Sequence, residues 1–215
     1  LGERTFTYWR SASAARQTFA DERGEDLLRA LGEVDLLYAS GITLSILDAP
    51  QRATLLELAD AVRAHGGKVA FDTNYRPIAW PNPAIAEHAF DEMMRRTDVA
   101  LPTLEDDQKL FRVVDAAACA RRIHDLGPRE VVVKVGKLGA IVSIDGHAEE
   151  VPANPVDVVV DSTAAGDSFN AGYLAARLTG AEPVAAASLG NRLANIVIRH
   201  RGAVVPKEVM AGLCA

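Results

Sequence analysis

The stretch PQRATLLELADAVRAHGGKVAFD, Pro50 to Asp72, decides the fold. Leu55, Leu58, Ala59 and Val62 recur at helical spacing across Pro50 to Ala64, and Gly66-Gly67 supplies the stop. Lys68 to Asp72 then reads as a short strand whose three central residues are all apolar. Such a strand suits a sheet covered on both faces rather than one with a wet side. The same alternation of apolar run and amphipathic segment repeats at Asp35 to Ala39, Asp98 to Leu101 and Glu130 to Val135. It predicts a doubly wound α/β fold with a mainly parallel sheet and helices on both faces.

Beyond Val135 the pattern changes. Ala140 to Ile144 and His147 to Val151 flank Asp145-Gly146, a pair that favours the positive φ of a tight hairpin, so an antiparallel edge is expected there. A β run over Val156 to Val160, helices over Gly166 to Leu178 and Pro183 to Arg199, and a short piece after Pro206 complete the chain. Upstream, Thr5 to Trp9 alternates like a strand without a partner, and the sequence opens at Leu1 without methionine. The expected organisation is residues 1–20 as part of a small β lid and 21–215 as an α/β core whose N-terminal part is missing.

Of the 215 residues, 49% are apolar, enough for a substantial core. The 23 basic and 29 acidic side chains give a net charge of -6, with no basic run suited to a phosphate backbone, so nucleic acid is not an expected partner. Cys119 and Cys214 are far apart, and the five histidines are scattered without ligand spacing. No apolar run approaches the roughly 20 residues that span a bilayer. A cytoplasmic protein is expected, and the exposed aromatics Phe6, Tyr8 and Trp9 suggest the surface of a homo-oligomer.

The chemistry centres on Asp161-Ser162-Thr163-Ala164-Ala165-Gly166-Asp167-Ser168-Phe169-Asn170-Ala171-Gly172. Small residues where a helix begins let successive backbone N–H groups converge, and the helix dipole adds positive charge, so the joint suits an anion. A carboxylate there repels a phosphate. Asp167 therefore either caps the helix or acts as the base that takes a proton from a hydroxyl attacking phosphorus; the spacing serves both roles. Lys134-Val135-Gly136-Lys137-Leu138-Gly139 follows a strand but is no P-loop, because Leu138 replaces the Ser or Thr that would hold magnesium; it also reads as a glycine-bearing hairpin.

The segment DSTAAGDSFNAGYLAARLTG resembles the C-terminal signature of the ribokinase-like (PfkB) carbohydrate kinases. Ala164, the stretch Gly2 to Arg10 and the stretch Phe71 to Pro77 resemble the branch of that family that phosphorylates 2-keto-3-deoxygluconate. The resemblance runs over essentially the whole chain. It implies transfer of phosphate from ATP to the 6-hydroxyl of 2-dehydro-3-deoxy-D-gluconate, with Asp167 as base and the N–H groups of Ala164, Ala165 and Gly166 as anion hole. It implies nucleotide contacts from Lys134, Gly136 and Gly139, with Asn191 and Asn195 near adenine, and assigns Tyr8 and Arg10 to the sugar acid.

Arg10 and Arg76 are the candidates for the substrate carboxylate, since a guanidinium offers a bidentate fork. Arg76 follows a strand end, where open α/β sheets place ligands, and can equally be a loop arginine tied to Asp72 or Asp98. Arg76 is also carried as a nucleotide contact, and Asn74 as a donor to substrate or phosphate. Where many members of the resembled family have Asn-x-x-Glu to organise magnesium-bound water, this chain has Thr103-x-x-Asp106, a departure that leaves Asp106 as the metal candidate, Glu105 as its substitute by a one-residue shift, and Asp107 next in line on the same turn. Those three acids also suit a helix N-terminus on dipole grounds alone. No dense carboxylate cage appears, so magnesium is expected to arrive with ATP. The alternatives are a kinase for a neutral sugar or nucleoside, and a truncated nucleotide-binding module without turnover.

Overall fold

The computed structural model describes residues 13–20, 22–31 and 33–210, and the expected strand at Thr5 to Trp9 lies outside them, as do Tyr8, Arg10 and Cys214. The core is a six-stranded sheet in sequential order: β1 (Leu36–Ser40), β2 (Lys68–Asp72), β3 (Val99–Ala100), β4 (Glu130–Lys134), β5 (Gly139–Ile144) and β6 (His147–Pro152). β1 to β4 run parallel, while β5 and β6 fold back antiparallel as a hairpin over Asp145 and Gly146, both at positive φ.

α1 (Glu22–Leu31) precedes the sheet. The crossovers are α2 (Gly41–Ile46) and α3 (Ala49–Ala64), then α4 (Pro83–Met94), then α5 (Leu104–Phe111) and α6 (Ala116–His124). A sheet that always steps the same way through right-handed crossovers puts all of them on one face. The period of two along each strand then divides the core. Val69, Phe71, Ala100, Val131 and Val133 point into the cluster under α2 to α6, whereas Ala70, Val99, Leu101 and Val132 point to the other face.

That second face is covered by α7 (Ala165–Leu178) and α8 (Pro183–Val197). The two helices cross closely where Gly172 meets Gly190: a Cβ on Gly172 would lie 3.1 Å from the Gly190 Cα. The expected helix face of α3 is confirmed, with Leu55, Leu58, Ala59 and Val62 all buried.

The β run expected over Val156 to Val160 is not a strand. Val158 is 65% exposed, and the only backbone partner of Val160 N–H is the Ile198 carbonyl just beyond α8. β-branched residues favour extended backbone only where a neighbouring strand or a packed surface receives them, and neither meets this run among the described residues.

Candidate active site

The parallel strands end together, at Ser40, Asp72, Ala100 and Lys134, and the head of α7 sits over that edge. The link runs through four side chains from four elements. Lys134 Nζ lies 3.0 Å from Asp72 Oδ2 and donates to Asn170 Oδ1 at 3.0 Å. Asn170 Nδ2 donates to Asp72 Oδ2 at 2.7 Å and to the Tyr38 hydroxyl at 3.2 Å. Burial, then the Asp72 carboxylate, push the Tyr38 hydroxyl well above its ordinary range, and the charge of Asp167 adds to this. Asp167 therefore stands within electrostatic reach of the network.

At the head of α7 the backbone is set by Asp161. Its Oδ1 accepts from Thr163 N at 2.7 Å and its Oδ2 from Gly202 N at 2.7 Å, which folds Ser162 to Ala164 into a turn. Ala164 is the N-cap and adopts the left-handed region, φ 60°. Its methyl contributes no cap hydrogen bond. Ala165 N–H donates to Ser162 O at 3.3 Å, whereas the N–H groups of Gly166 and Asp167 meet no backbone acceptor among the described residues. Of the anion hole expected at Ala164, Ala165 and Gly166, the Ala165 donor is thus already engaged and that of Asp167 joins the free set. The Asp167 side chain is exposed in the first turn.

A second cluster faces the loop after β2. Asp107 Oδ2 accepts from Thr73 Oγ1 at 3.0 Å, and Asp106 Oδ2 accepts from Tyr75 N at 3.2 Å and Arg76 Nη1 at 3.4 Å. Between these grips Asn74 takes φ 31°, its N–H donating to Asp72 Oδ1 at 3.2 Å. Arg76 is tied to Asp106 and to the Tyr75 carbonyl, not to Asp72 or Asp98, and its side chain stays 41% exposed. Burial pushes the Asp106 carboxyl up, against the pull of Arg76 and Lys109.

Among the described residues no group of three or more His, Cys, Asp or Glu is arranged to hold a metal. Asp106 spends its Oδ2 on the loop and on Arg76. Among the described residues the donor set does not build a resident magnesium site.

The remaining sequence candidates have structural occupations of their own. Gly139, at φ 105°, lets β5 approach β6: a Cβ there would fall 2.2 Å from the Val151 carbonyl. Gly136 lies on an open turn at φ 60°. Asn191 Nδ2 donates to Val151 O at 3.0 Å and Asn195 Nδ2 to Asn154 O at 2.9 Å, so the first pins α8 to β6 and the second to the chain leaving it. Sequence reasoning missed Asp72, Asn170, Tyr38, Thr73 and Asp107. Two signals were available: Asn170 stands three residues after Asp167, hence on the same helix face, and Asp72 is a charge closing an apolar strand.

Residues 2–210 match the pfkB family of carbohydrate kinases. The chain is 44% identical over 212 residues to the 2-dehydro-3-deoxygluconokinase of Dickeya dadantii, covering 97% of this chain and 68% of that protein. Among solved structures it is similar to a PfkB protein from Polaromonas sp. JS666, with TM-score 0.74 and 28% identity over 86% of this chain and 59% of that one. It is also similar to aminoimidazole riboside kinase from Salmonella enterica, solved with aminoimidazole riboside and an ATP analog, with TM-score 0.73 and 26% identity over 84% and 63%. The chain thus spans less than two thirds of those two solved proteins.

Proposed function

Because the chain belongs to the pfkB family of carbohydrate kinases, we propose that it phosphorylates 2-dehydro-3-deoxy-D-gluconate at the 6-hydroxyl, with ATP as donor and Asp167 as base. The observation that carries the reading is the head of α7: an exposed carboxylate in the first turn of a helix whose Gly166 and Asp167 N–H groups meet no backbone acceptor among the described residues, set over the carboxyl ends of the parallel strands. The 44% identity to a 2-dehydro-3-deoxygluconokinase over 97% of the chain supports the substrate.

A sugar alcohol is a weak nucleophile at neutral pH. The Asp167 carboxylate takes the hydroxyl proton as the oxygen bonds to the γ-phosphorus, and the bond from that phosphorus to the β–γ bridging oxygen breaks, its electrons leaving with ADP. Positioned general-base catalysis contributes roughly 10²- to 10⁴-fold, and donors fixed around the transferring group supply most of the rest. The N–H groups at the head of α7 are such donors, because they point at the ligand before it arrives and need no reorganisation. Arg76, held half-exposed at the end of β2, offers a guanidinium to the substrate carboxylate, and Asn74 beside it a polar contact. Magnesium would be carried in by the nucleotide, whose phosphates would hold it. The assignment of residues 1–20 to a lid, with Tyr8 and Arg10 on the sugar acid, falls mainly on residues outside those the structure describes.

The test is ADP release with 2-keto-3-deoxygluconate, ribose, fructose and adenosine compared side by side. The keto acid is expected to turn over selectively, and Asp167→Asn to lower kcat by at least about 10²-fold. Turnover of a neutral sugar instead would remove the carboxylate role from Arg76, and no turnover of any substrate would overturn the kinase reading.

A further inference from the structure

Thr73 and Asp107 are each 1% exposed, so neither meets a ligand directly. The Thr73 hydroxyl donates to Asp107 Oδ2 at 3.0 Å, while Asp107 Oδ1 has no hydrogen bond among the described residues. A half-satisfied buried carboxyl destabilises a core, and a leucine facing a valine would fill the same space without a desolvated polar group. What the polar pair adds is direction, because a hydrogen bond fixes the orientation of Thr73 as apolar contact does not.

The residues around Thr73 show what that direction serves. A Cβ on Gly41, the first residue of α2, would lie 2.0 Å from the Thr73 carbonyl oxygen, so the backbone of Thr73 is already hemmed in on that side. Asn74 follows at φ 31°, a left-handed backbone that a residue with a side chain keeps only when its neighbours hold it there. On the far side the Tyr75 N–H is held by Asp106 Oδ2, and the Tyr75 ring, 4% exposed, meets Phe90 edge-on with 6.1 Å between ring centroids. Buried Thr73 and Tyr75 thus alternate with Asn74 and Arg76, which stay partly exposed. Local strain kept in place by anchors on both flanks points to a loop whose shape matters to a ligand, and a loop shaped in advance spares the cost of ordering it on binding.

We propose that Thr73 and Asp107 are positioning residues for the sugar acid: their hydrogen bond holds the loop after β2 in the shape that presents Asn74 and Arg76 to the substrate before it binds. The inference rests on the reading of that loop as the sugar-acid side of the site.

Calorimetric titration with 2-keto-3-deoxygluconate in the absence of ATP reads the loop, and titration with inorganic tripolyphosphate reads the head of α7 as a control. Thr73→Val keeps the shape of the side chain and removes the hydroxyl. It is expected to weaken sugar-acid binding roughly 10-fold, the factor by which a competent loop population of about one tenth lowers apparent affinity, and to leave tripolyphosphate binding unchanged. Thr73→Ser returns the donor and is expected to recover most of the loss. In turnover, Thr73→Val is expected to raise the KM for the sugar acid while kcat and the KM for ATP stay near the wild-type values, a split that general loosening of the fold would not produce. If Thr73→Val fails to fold because Asp107 is left buried without a partner, the pair Thr73→Val with Asp107→Leu removes both polar groups and is measured instead. Sugar-acid binding by the folded variant equal to that of the wild type overturns the proposal, and so does equal weakening of both ligands. A wild type that binds no sugar acid overturns the proposal together with the substrate reading. A wild type that binds the sugar acid but releases no ADP overturns the kinase reading alone, since the affinities of the variants still decide the role of Thr73 and Asp107.

Discussion

Asp107 is 1% exposed, with one carboxyl oxygen on the Thr73 hydroxyl and the other, Oδ1, without a hydrogen bond. Burial pushes its carboxyl up to about 7, more than the Thr73 hydroxyl and Arg122 pull it down, and Asp106 and Asp72 push it further. A carboxyl raised in the folded state binds its proton more tightly there than in the unfolded chain. Its contribution is therefore fully present below the ordinary Asp range near pH 4 and is lost as pH rises through about 7. Melting at pH 5, 6, 7 and 8 should show the wild type losing stability on the way up and Asp107→Asn losing markedly less; parallel slopes would remove the titration from Asp107. At Ala164 the left-handed backbone costs an L-residue of order 1 kcal/mol. Ala164→Gly should raise stability by roughly 0.5–1 kcal/mol, seen as a melting temperature higher by a few degrees. Arg76 and Asn74 were legible as candidates because they follow a strand end. The grip of Asp106 on Tyr75 and Arg76, and of Asp107 on Thr73, was not, since nothing local links positions about thirty residues apart.

At the scale of elements, α7 and α8 matter most because the site hangs from one and the other fixes it. Their contact is a glycine crossing: a Cβ on Gly190 would lie 2.8 Å from the Phe169 carbonyl and 2.9 Å from its ring. Phe169 is two residues from Asp167. Gly190→Ala must therefore move backbone, at a cost of about 1–3 kcal/mol typical of overpacking, and is expected to lower kcat along with the melting temperature. An unchanged melting temperature would show that the crossing is loose. The helices themselves were readable from their periodicity, and the hairpin from Asp145-Gly146. Val156 to Val160 misled because five residues of strand character state a preference for extended backbone, while a ladder needs a neighbour that only the assembled sheet supplies.

Across the whole molecule β4 holds α7 at both ends. At its start Glu130 accepts from the Tyr173 hydroxyl at 2.6 Å and from Arg177 Nε at 2.9 Å and Nη2 at 2.8 Å. At its finish Lys134 holds Asn170. Four residues of strand span about 13 Å and seven of helix about 10 Å, so the two elements are matched in length and opposed in direction. That opposition is what brings the helix N-terminus to the carboxyl edge of the sheet. Glu130→Gln, at the far end from the site, should cost about 1–3 kcal/mol by leaving Arg177 half-buried without its charge partner. The melting temperature should fall by several degrees while tripolyphosphate binding stays close to that of the wild type; a comparable loss of binding would mean that the far anchor also aims the site.

The sequence by itself determined the class of fold and the place of the chemistry. Apolar periodicity is a local property that sets which face each element buries, and the run from Asp161 to Gly172 carries its small residues and its carboxylate consecutively. Only the tertiary structure decided which side chains stand together beneath that run. Tyr38, Asp72, Lys134 and Asn170 meet because parallel strands must be joined by long crossovers, so residues that end neighbouring strands are neighbours in space while remaining tens of residues apart along the chain.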